Sequence, residues 1–260
     1  MSSYNEILAR HRAEYHPVVP FDKGRDLLYA FDFTEHNTNL AAGEIADTEK
    51  FAGWINRTLS QQEARYGIGG YDEHRTLYAR SKHFDRALAA GSESERGLAG
   101  EGNPGLTGEA NPGVASGGVA AEPRRLHLGV DIWGPAGTKV MAPLPGIVHS
   151  FAFNNNDSDY GATLILTHNL DGTGFHTLYG HISLNSIKNL YEGQGIAKGE
   201  VIAEFGMRYE NGNWPPHLHF QLIADLQDWK GDYPGVCRFS ERQQWLDNCP
   251  NPNLILQMGW

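Results

Sequence analysis

The sequence predicts a mainly β protein: a β-sandwich or barrel-like domain with a small α-containing region at its N-terminus. From Leu126 onward, short runs rich in β-branched and aromatic residues alternate with clusters of turn residues. Many short strands joined by tight turns are typical of an all-β sandwich or barrel. Asp171-Gly172, between two such runs, is a strong hairpin signal. Apolar residues at helical spacing come earlier in the chain, which places the helices near the N-terminus.

The first 90 residues predict two helices and a strand. A short helix is expected over residues 3–11, and Leu27–Phe31 is predicted as a buried strand because it is short, apolar and bounded by charge. A longer helix is expected over Thr48–Arg65, with Thr48 as its N-cap and Gly67 as its stop. The apolar residues on one face of that helix are Phe51, Trp54, Ile55 and Leu59.

Residues 91–123 differ in composition from the rest of the chain. They contain nine glycines and almost no large apolar side chains, so they cannot bury a core of their own. We therefore predict three parts. Residues 1–90 form an α+β region packed on the last part, residues 91–123 are a flexible linker or insertion, and residues 124–260 form the β domain.

Seven strands are predicted in the C-terminal part, and Leu184–Leu190 is expected to form a helical turn. The strands are His127–Ile132, Lys139–Ala142, Gly146–Phe153, Ala162–His168, Phe175–His181, Val201–Gly206 and His217–Ala224.

Composition excludes several classes of function. A formal net charge of −10 argues against nucleic-acid binding, and no run of 18 apolar residues is present to span a membrane. The N-terminus has no apolar stretch of signal-peptide length, so a cytoplasmic location is expected, although leaderless export would also fit. Cys237 and Cys249 are too few for a disulfide scaffold; reduced thiols are expected, although their spacing also permits a bridge.

Three histidine-bearing segments suggest chemistry: His127 to Asp131, His176 to His181, and His217-Leu-His219. Zinc binds imidazole and carboxylate, and a catalytic site uses three protein ligands and one open position. On a strand, His217 and His219 point to the same face, about 6.6 Å apart. One of them is thus able to bind a metal while the other contacts the water on it.

His127 and Asp131 would be about 13 Å apart in an extended strand. They reach one ion only if the chain bends, and Gly129 between them permits a bend or a close approach. Each pattern alone is more often a surface or packing feature than a metal site, and His168, at the end of a strand, is interpreted as structural. The joint occurrence of the patterns in one β domain favours a metal site.

Four motifs resemble the LytM/lysostaphin-type zinc metallopeptidases over about residues 124–224. They are His127-Leu-Gly-Val-Asp131 with the following Gly137-Thr138 to Val148 segment, Leu178-Tyr179-Gly180-His181, Gly193-Gln194 to Ile202, and His217-Leu218-His219-Phe220. The resemblance implies the antiparallel β-sandwich or half-barrel of that family. A narrower resemblance, carried by Gly67 to Tyr78 and by Trp214 to Leu222, is to a subgroup in which the peptidase domain is fused to phosphotransferase and aminotransferase domains.

The family resemblance also implies site roles. His127, Asp131 and His219 are expected to hold one Zn²⁺ per chain, and His181 and His217 to act on the water as general acid and base. The implied substrate is a peptide or a peptidoglycan-like molecule. The alternative is a non-catalytic β-module that keeps this fold as a binding or regulatory domain. The bulky segment before His217, from Tyr209 to Trp214, is expected to narrow the cleft.

Overall fold

The structure, a computed structural model, describes residues 4–85 and 122–259. The strands are β1 (Leu28–Phe31), β2 (Tyr66–Gly69), β3 (Glu73–His74), β4 (Leu126–His127), β5 (Val130–Trp133), β6 (Lys139–Met141), β7 (Gly146–Asn154), β8 (Gly161–Leu170), β9 (Thr173–Ile182), β10 (Gly195–Ile196), β11 (Val201–Glu204), β12 (His217–Ile223) and β13 (Val236–Cys237). The α-helices are α1 (Tyr4–Arg10), α2 (Ala42–Ile45), α3 (Thr48–Gln61), α4 (Leu184–Ile187), α5 (Arg242–Asn248) and α6 (Asn253–Leu256). The predicted linker at 91–123 lies outside the described residues except for its last two positions.

Eight of these strands form one mixed sheet in the order β1-β2-β5-β12-β9-β8-β7-β10. The ends of this order are different strands, so the sheet that the described strands build is open rather than a closed barrel. The prediction of a mainly β fold is confirmed. The strand pairs within residues 124–260 are antiparallel, as the resemblance implies, whereas β1 and β2 in the N-terminal region pair in parallel. They do so because the long connection between them contains α3 and returns the chain in the same direction.

The hairpin between β8 and β9 forms where the sequence predicts it. Leu170 pairs with Thr173, and the two residues between them have positive φ, 52° at Asp171 and 81° at Gly172. Positive φ at both central positions is the requirement of a type I′ turn, which matches the twist of the flanking strands. The turn therefore sets the register of the hairpin as far as the Leu164–Tyr179 pair; the register shifts beyond that pair, and His181 follows near the end of β9.

Helix α3 packs Phe51, Ile55 and Leu59 into a second core beside the main sheet. Two predictions about its ends are wrong. Asp47 is the N-cap, because its carboxylate accepts the backbone N–H groups of residues 49 and 50, and Thr48 is the first helical residue. The helix ends at Gln61, while Gly67 lies in β2.

The predicted strand His127–Ile132 is two strands in different sheets. The strand is interrupted at Leu128-Gly129. Strand β4 pairs with β3 and β13, whereas β5 pairs with β2 and β12. This break brings His127 beside Asp131 in spite of their separation along the chain. A Cβ on Gly129 would lie 2.5 Å from the His219 ring, so the predicted close approach at this glycine is confirmed.

The region before residue 85 extends the main sheet, since Gly69 in β2 lies opposite Asp131 in β5. Both cysteines are free and buried. The longest described helix, α3, has 14 residues, and across residues 4–85 and 122–259 no helix has both the length and the apolar character that a membrane span needs.

Candidate metal centre

The three predicted metal ligands meet in the interior, where β4, β5 and β12 come together. His127 Nε2 lies 3.0 Å from His219 Nδ1 and 3.3 Å from Asp131 Oδ1. His219 Nδ1 lies 3.1 Å from the same Asp131 oxygen. All three side chains are buried. Two imidazole nitrogens and one carboxylate oxygen therefore converge on one point.

The tautomer of His127 is fixed by the hydrogen bond of Nδ1, the ring nitrogen that faces away from the other two ligands. Nδ1 lies 3.0 Å from the carbonyl oxygen of Gly70. A carbonyl oxygen only accepts, so Nδ1 carries the proton and Nε2 presents its lone pair to the site. Burial, and after it the charge of Arg75, lowers the pKa of His127 to about 4, which keeps the ring neutral at neutral pH.

A glutamine that the sequence analysis did not single out fixes the tautomer of His219. The Gln221 amide nitrogen donates to the carbonyl of Pro234, so its oxygen is the atom 2.9 Å from His219 Nε2. Nε2 is therefore the protonated nitrogen, and Nδ1 presents its lone pair. Polar residues occupy alternate positions 217, 219 and 221 of the buried strand β12, so their side chains lie on one face. This alternation is the sequence signal that could have identified Gln221.

Asp131 presents one oxygen to the two imidazoles and binds Arg75 with the other. Oδ2 accepts a hydrogen bond from Arg75 Nη1, while Oδ1 faces His127 and His219. Burial by itself would raise the pKa of this carboxyl group, but interactions with its neighbours, among them the buried guanidinium of Arg75, outweigh burial and hold the pKa well below its usual range. Asp131 is consequently a carboxylate at neutral pH.

The donor set fits a zinc ion. The three converging atoms are all acceptors, and the tautomers leave no imidazole proton among them, which is an arrangement that a cation stabilises. Zinc bonds of 2.0–2.2 Å in a tetrahedron give ligand–ligand edges of about 3.3–3.6 Å, close to the separations of 3.0–3.3 Å seen here. Three protein ligands leave the fourth position open, as catalytic zinc sites do.

The two remaining predicted histidines lie side by side next to this centre. The ring centroids of His181 and His217 are 4.1 Å apart, and His217 stacks on Trp133 at 3.9 Å. Each Nδ1 donates to a backbone carbonyl at 2.8 Å, His181 to Asn211 and His217 to Pro215. Both rings therefore have an unprotonated Nε2, and both line the same cleft.

Burial is the main electrostatic influence on this pair. It lowers the pKa of His217 to about 4 and that of His181 well below the ordinary histidine value, so both are neutral and able to accept a proton. His181 also has a backbone φ of 61°, in the left-handed region that side chains other than glycine seldom adopt.

The cleft beside the centre has a volume of about 140 Å³, and aromatic and charged side chains line it. Tyr78 and Phe84 from the N-terminal region form part of the wall, and Trp214 and Tyr233 form another part. The expectation that the segment before His217 narrows the cleft holds for Trp214. Tyr209 lies at the surface, 72% exposed, and does not line the cleft.

His168 lies elsewhere and is hydrogen-bonded on both ring nitrogens, at 2.8 Å to the Pro145 carbonyl and 2.8 Å to the Thr177 hydroxyl. It is 2% exposed, in keeping with its interpretation as structural. His149 and His176 contact each other away from the centre, with ring centroids 5.5 Å apart.

Comparison with known proteins agrees with a zinc-binding hydrolytic site. Residues 125–230 match Peptidase family M23. Over 104 residues the chain is 34% identical to the DD-carboxypeptidase/endopeptidase Mpg of Neisseria meningitidis serogroup B, a match that covers 40% of this chain and 21% of that protein. The protein of the same name from Neisseria gonorrhoeae gives the same figures. The chain thus spans about a fifth of the length of these curated relatives.

Solved structures with a related segment include two peptidases. The catalytic domain of lysostaphin from Staphylococcus simulans is 22% identical, with 46% of this chain and 80% of that chain covered and a TM-score of 0.33. A zinc-containing peptidase from Vibrio cholerae is 27% identical, with 42% and 32% covered and a TM-score of 0.31.

The segment 125–230 is therefore similar to Peptidase family M23, the LytM/lysostaphin-type group that its motifs resemble. M23 peptidases are zinc-dependent, and the candidate ligands here are His127, Asp131 and His219. The roles of the individual site residues, the boundaries of the three parts and the narrower subgroup stay predictions.

Proposed function

We propose that this protein is a zinc-dependent metallopeptidase that hydrolyses a peptide or amide bond with water. The observation that carries the proposal is the convergence of three unprotonated acceptor atoms of His127, Asp131 and His219 beside a pair of neutral imidazoles. In such a site a bound zinc ion supplies a Lewis acid and a water molecule of lowered pKa. The proposed stoichiometry is one zinc ion per chain.

His181 and His217 are the proposed general acid and base. Each has its Nδ1 proton engaged by a backbone carbonyl, which leaves Nε2 free to take a proton from water and later to give it to the leaving amine. The carbonyl contacts hold each ring in one tautomer, and the stack of His217 on Trp133 holds its orientation. One of these two histidines would act as the base and the other as the acid.

The proposed substrate is a short peptide or a peptidoglycan-like peptide. The relatives named DD-carboxypeptidase/endopeptidase support a peptide of this kind, although the shared segment is only about a fifth of their length. The aromatic side chains that line part of the cleft support a peptide that packs against them.

The test combines metal content with hydrolysis. We expect close to one zinc per chain, lost in His219→Ala and in Asp131→Ala, because three-ligand sites seldom survive the loss of a ligand. His181→Ala and His217→Ala are expected to keep zinc but to lose about 10²–10⁴-fold in turnover on a panel of glycine-containing and D-amino-acid peptides. His149→Ala, away from the centre, is the matched histidine control. Full zinc retention in both His219→Ala and Asp131→Ala would contradict the proposal that these residues bind zinc.

The non-catalytic module is the second candidate. It predicts a folded, metal-loaded protein that binds peptide and turns none over, and it makes the His181→Ala and His217→Ala variants equal to wild type in the hydrolysis assay. The presence of both imidazoles at the cleft favours the enzyme, because a module that only binds has no use for two unprotonated nitrogens beside the ligands.

A further inference from the structure

Arg75 is a fully buried arginine that reaches the metal centre from outside the M23 domain. It follows β3, and its backbone N–H is hydrogen-bonded to the carbonyl of Arg125, two residues before His127. Its side chain is 0% exposed. Gly69 leaves room for it, since a Cβ there would lie 2.5 Å from Arg75 Nη2. The local chain therefore fixes where this guanidinium lies.

All three guanidinium nitrogens have partners. Nη1 donates to Asp131 Oδ2 and, at 3.3 Å, to the Tyr78 hydroxyl. Nε donates to Glu73 Oε2 at 2.6 Å. Nη2 donates at 3.4 Å to the Gly70 carbonyl, the same oxygen that orients His127. Arg75 thus contacts one predicted ligand, Asp131, and the carbonyl group that orients a second, His127.

Two carboxylates contact the single positive charge of Arg75. A buried guanidinium is costly unless carboxylates compensate it, and here Glu73 and Asp131 bind it on two sides. The planar fork of arginine holds both carboxylates in fixed directions, which a flexible ammonium cannot do. Glu73 is itself held, because its other oxygen accepts the backbone N–H of Phe33 at 3.1 Å.

We propose that Arg75 is a positioning residue for the metal site: by binding Asp131 Oδ2, it keeps that oxygen away from the ion and presents Oδ1 alone. This inference rests on the proposed function. Outer partners of metal ligands orient those ligands, and their loss commonly costs about 10–100-fold in metal affinity. The region before the M23 domain is then part of the metal site rather than an accessory to it.

A purely structural role for the Arg75–Asp131 pair makes a different prediction. If the pair only stabilises the fold, replacing Arg75 lowers stability but leaves the coordination of a bound metal unchanged. If Arg75 positions the ligand, the freed carboxylate turns and binds through both oxygens or in another orientation. The absorption spectrum of Co²⁺ in place of zinc responds to that change in coordination and not to stability.

The experiment compares wild type with Arg75→Lys and Arg75→Met, and with the control Arg242→Met. Arg242 also pairs with an aspartate, Asp72, but contacts none of the predicted ligands. Near-ultraviolet circular dichroism and thermal melting check folding, chelator competition gives the zinc dissociation constant, and Co²⁺ loading gives the spectrum. Arg75→Met leaves two buried carboxylates unpaired, so the decision rests on Arg75→Lys, which keeps the charge.

We expect Arg75→Lys to bind zinc about 10–100-fold more weakly than wild type and to show an altered Co²⁺ spectrum, with Arg242→Met unchanged in both. Equal zinc affinity and an identical Co²⁺ spectrum for Arg75→Lys and wild type would overturn the inference while leaving the proposed function intact. A folded wild-type protein that binds no zinc would instead overturn the proposed function, and this inference with it.

Discussion

Replacing Gly129 by alanine tests the close packing behind His219. A Cβ at this position would lie 2.5 Å and 2.6 Å from two atoms of the His219 ring and 2.9 Å from the backbone oxygen of Phe220. A side chain can turn away, but the strand backbone cannot do so without a shift of β12. Overpacking of this kind costs about 1–3 kcal/mol, and the smaller backbone entropy of unfolded alanine offsets about 0.4–1 kcal/mol.

The expected net loss for Gly129→Ala is therefore about 1–2 kcal/mol, equivalent to about 2–8 °C in Tm for a chain of this size. Because the displaced group is a predicted ligand, zinc affinity should fall as well. Gly174→Ala is the matched control, since a Cβ there meets nothing within 4 Å, and it should be neutral or slightly stabilising. Thermal melting of both variants measures the loss of stability, and chelator competition measures their zinc affinity. Equal stability and zinc affinity in the two variants would refute the reasoning.

The remaining predictions concern backbone strain, acid stability and location. Because φ at His181 is 61°, His181→Gly should be more stable than His181→Ala by about 1–2 kcal/mol in urea unfolding, and equal stabilities would contradict this. Burial lowers the pKa of His168 to about 4, so the neutral ring contributes its full stability above pH 6.5 and loses it as the pH falls towards 4. His168→Gln should therefore reduce the acid-induced loss of stability by up to about 3 kcal/mol, and an unchanged pH profile would count against it. The cytoplasmic location stays a prediction, and fractionation of the native host tests it.

The sequence analysis predicted the strands that local patterns define. The C-terminal strands come from alternating apolar residues and turn residues, and Asp171-Gly172 sets a hairpin through its own backbone preference. Strand β2 was not predicted, because its glycine-rich residues have little strand preference and its pairing with β1 and β5 is long-range. A bend at Gly129 was considered for the metal site, but His127–Ile132 was still predicted as one strand, since the apolar pattern runs across the break while the partners on either side belong to different sheets.

The residues of the site also fall into those that the sequence analysis predicted and those that it did not. The joint occurrence of the histidine-bearing segments favoured a metal site, and the resemblance to the LytM/lysostaphin-type peptidases implied His127, Asp131 and His219 as its ligands. Arg75 and Gln221 were not assigned a role. The contact of Arg75 with Asp131 spans 56 positions of sequence, and the role of Gln221 follows from the orientation of one amide against Pro234. Supporting contacts of this kind depend on the folded chain and leave no local pattern.

The most direct test of the central claim is peptide hydrolysis by the chelator-treated protein before and after addition of one equivalent of zinc. We predict that the metal-free protein is inactive on the peptide panel and that zinc restores turnover in wild type. Asp131→Ala should not recover at the same zinc concentration, and His217→Ala should bind zinc without recovering most of the turnover. Turnover that is equal with and without zinc, or a zinc-loaded, folded wild type no more active than His217→Ala on every peptide, would contradict the account.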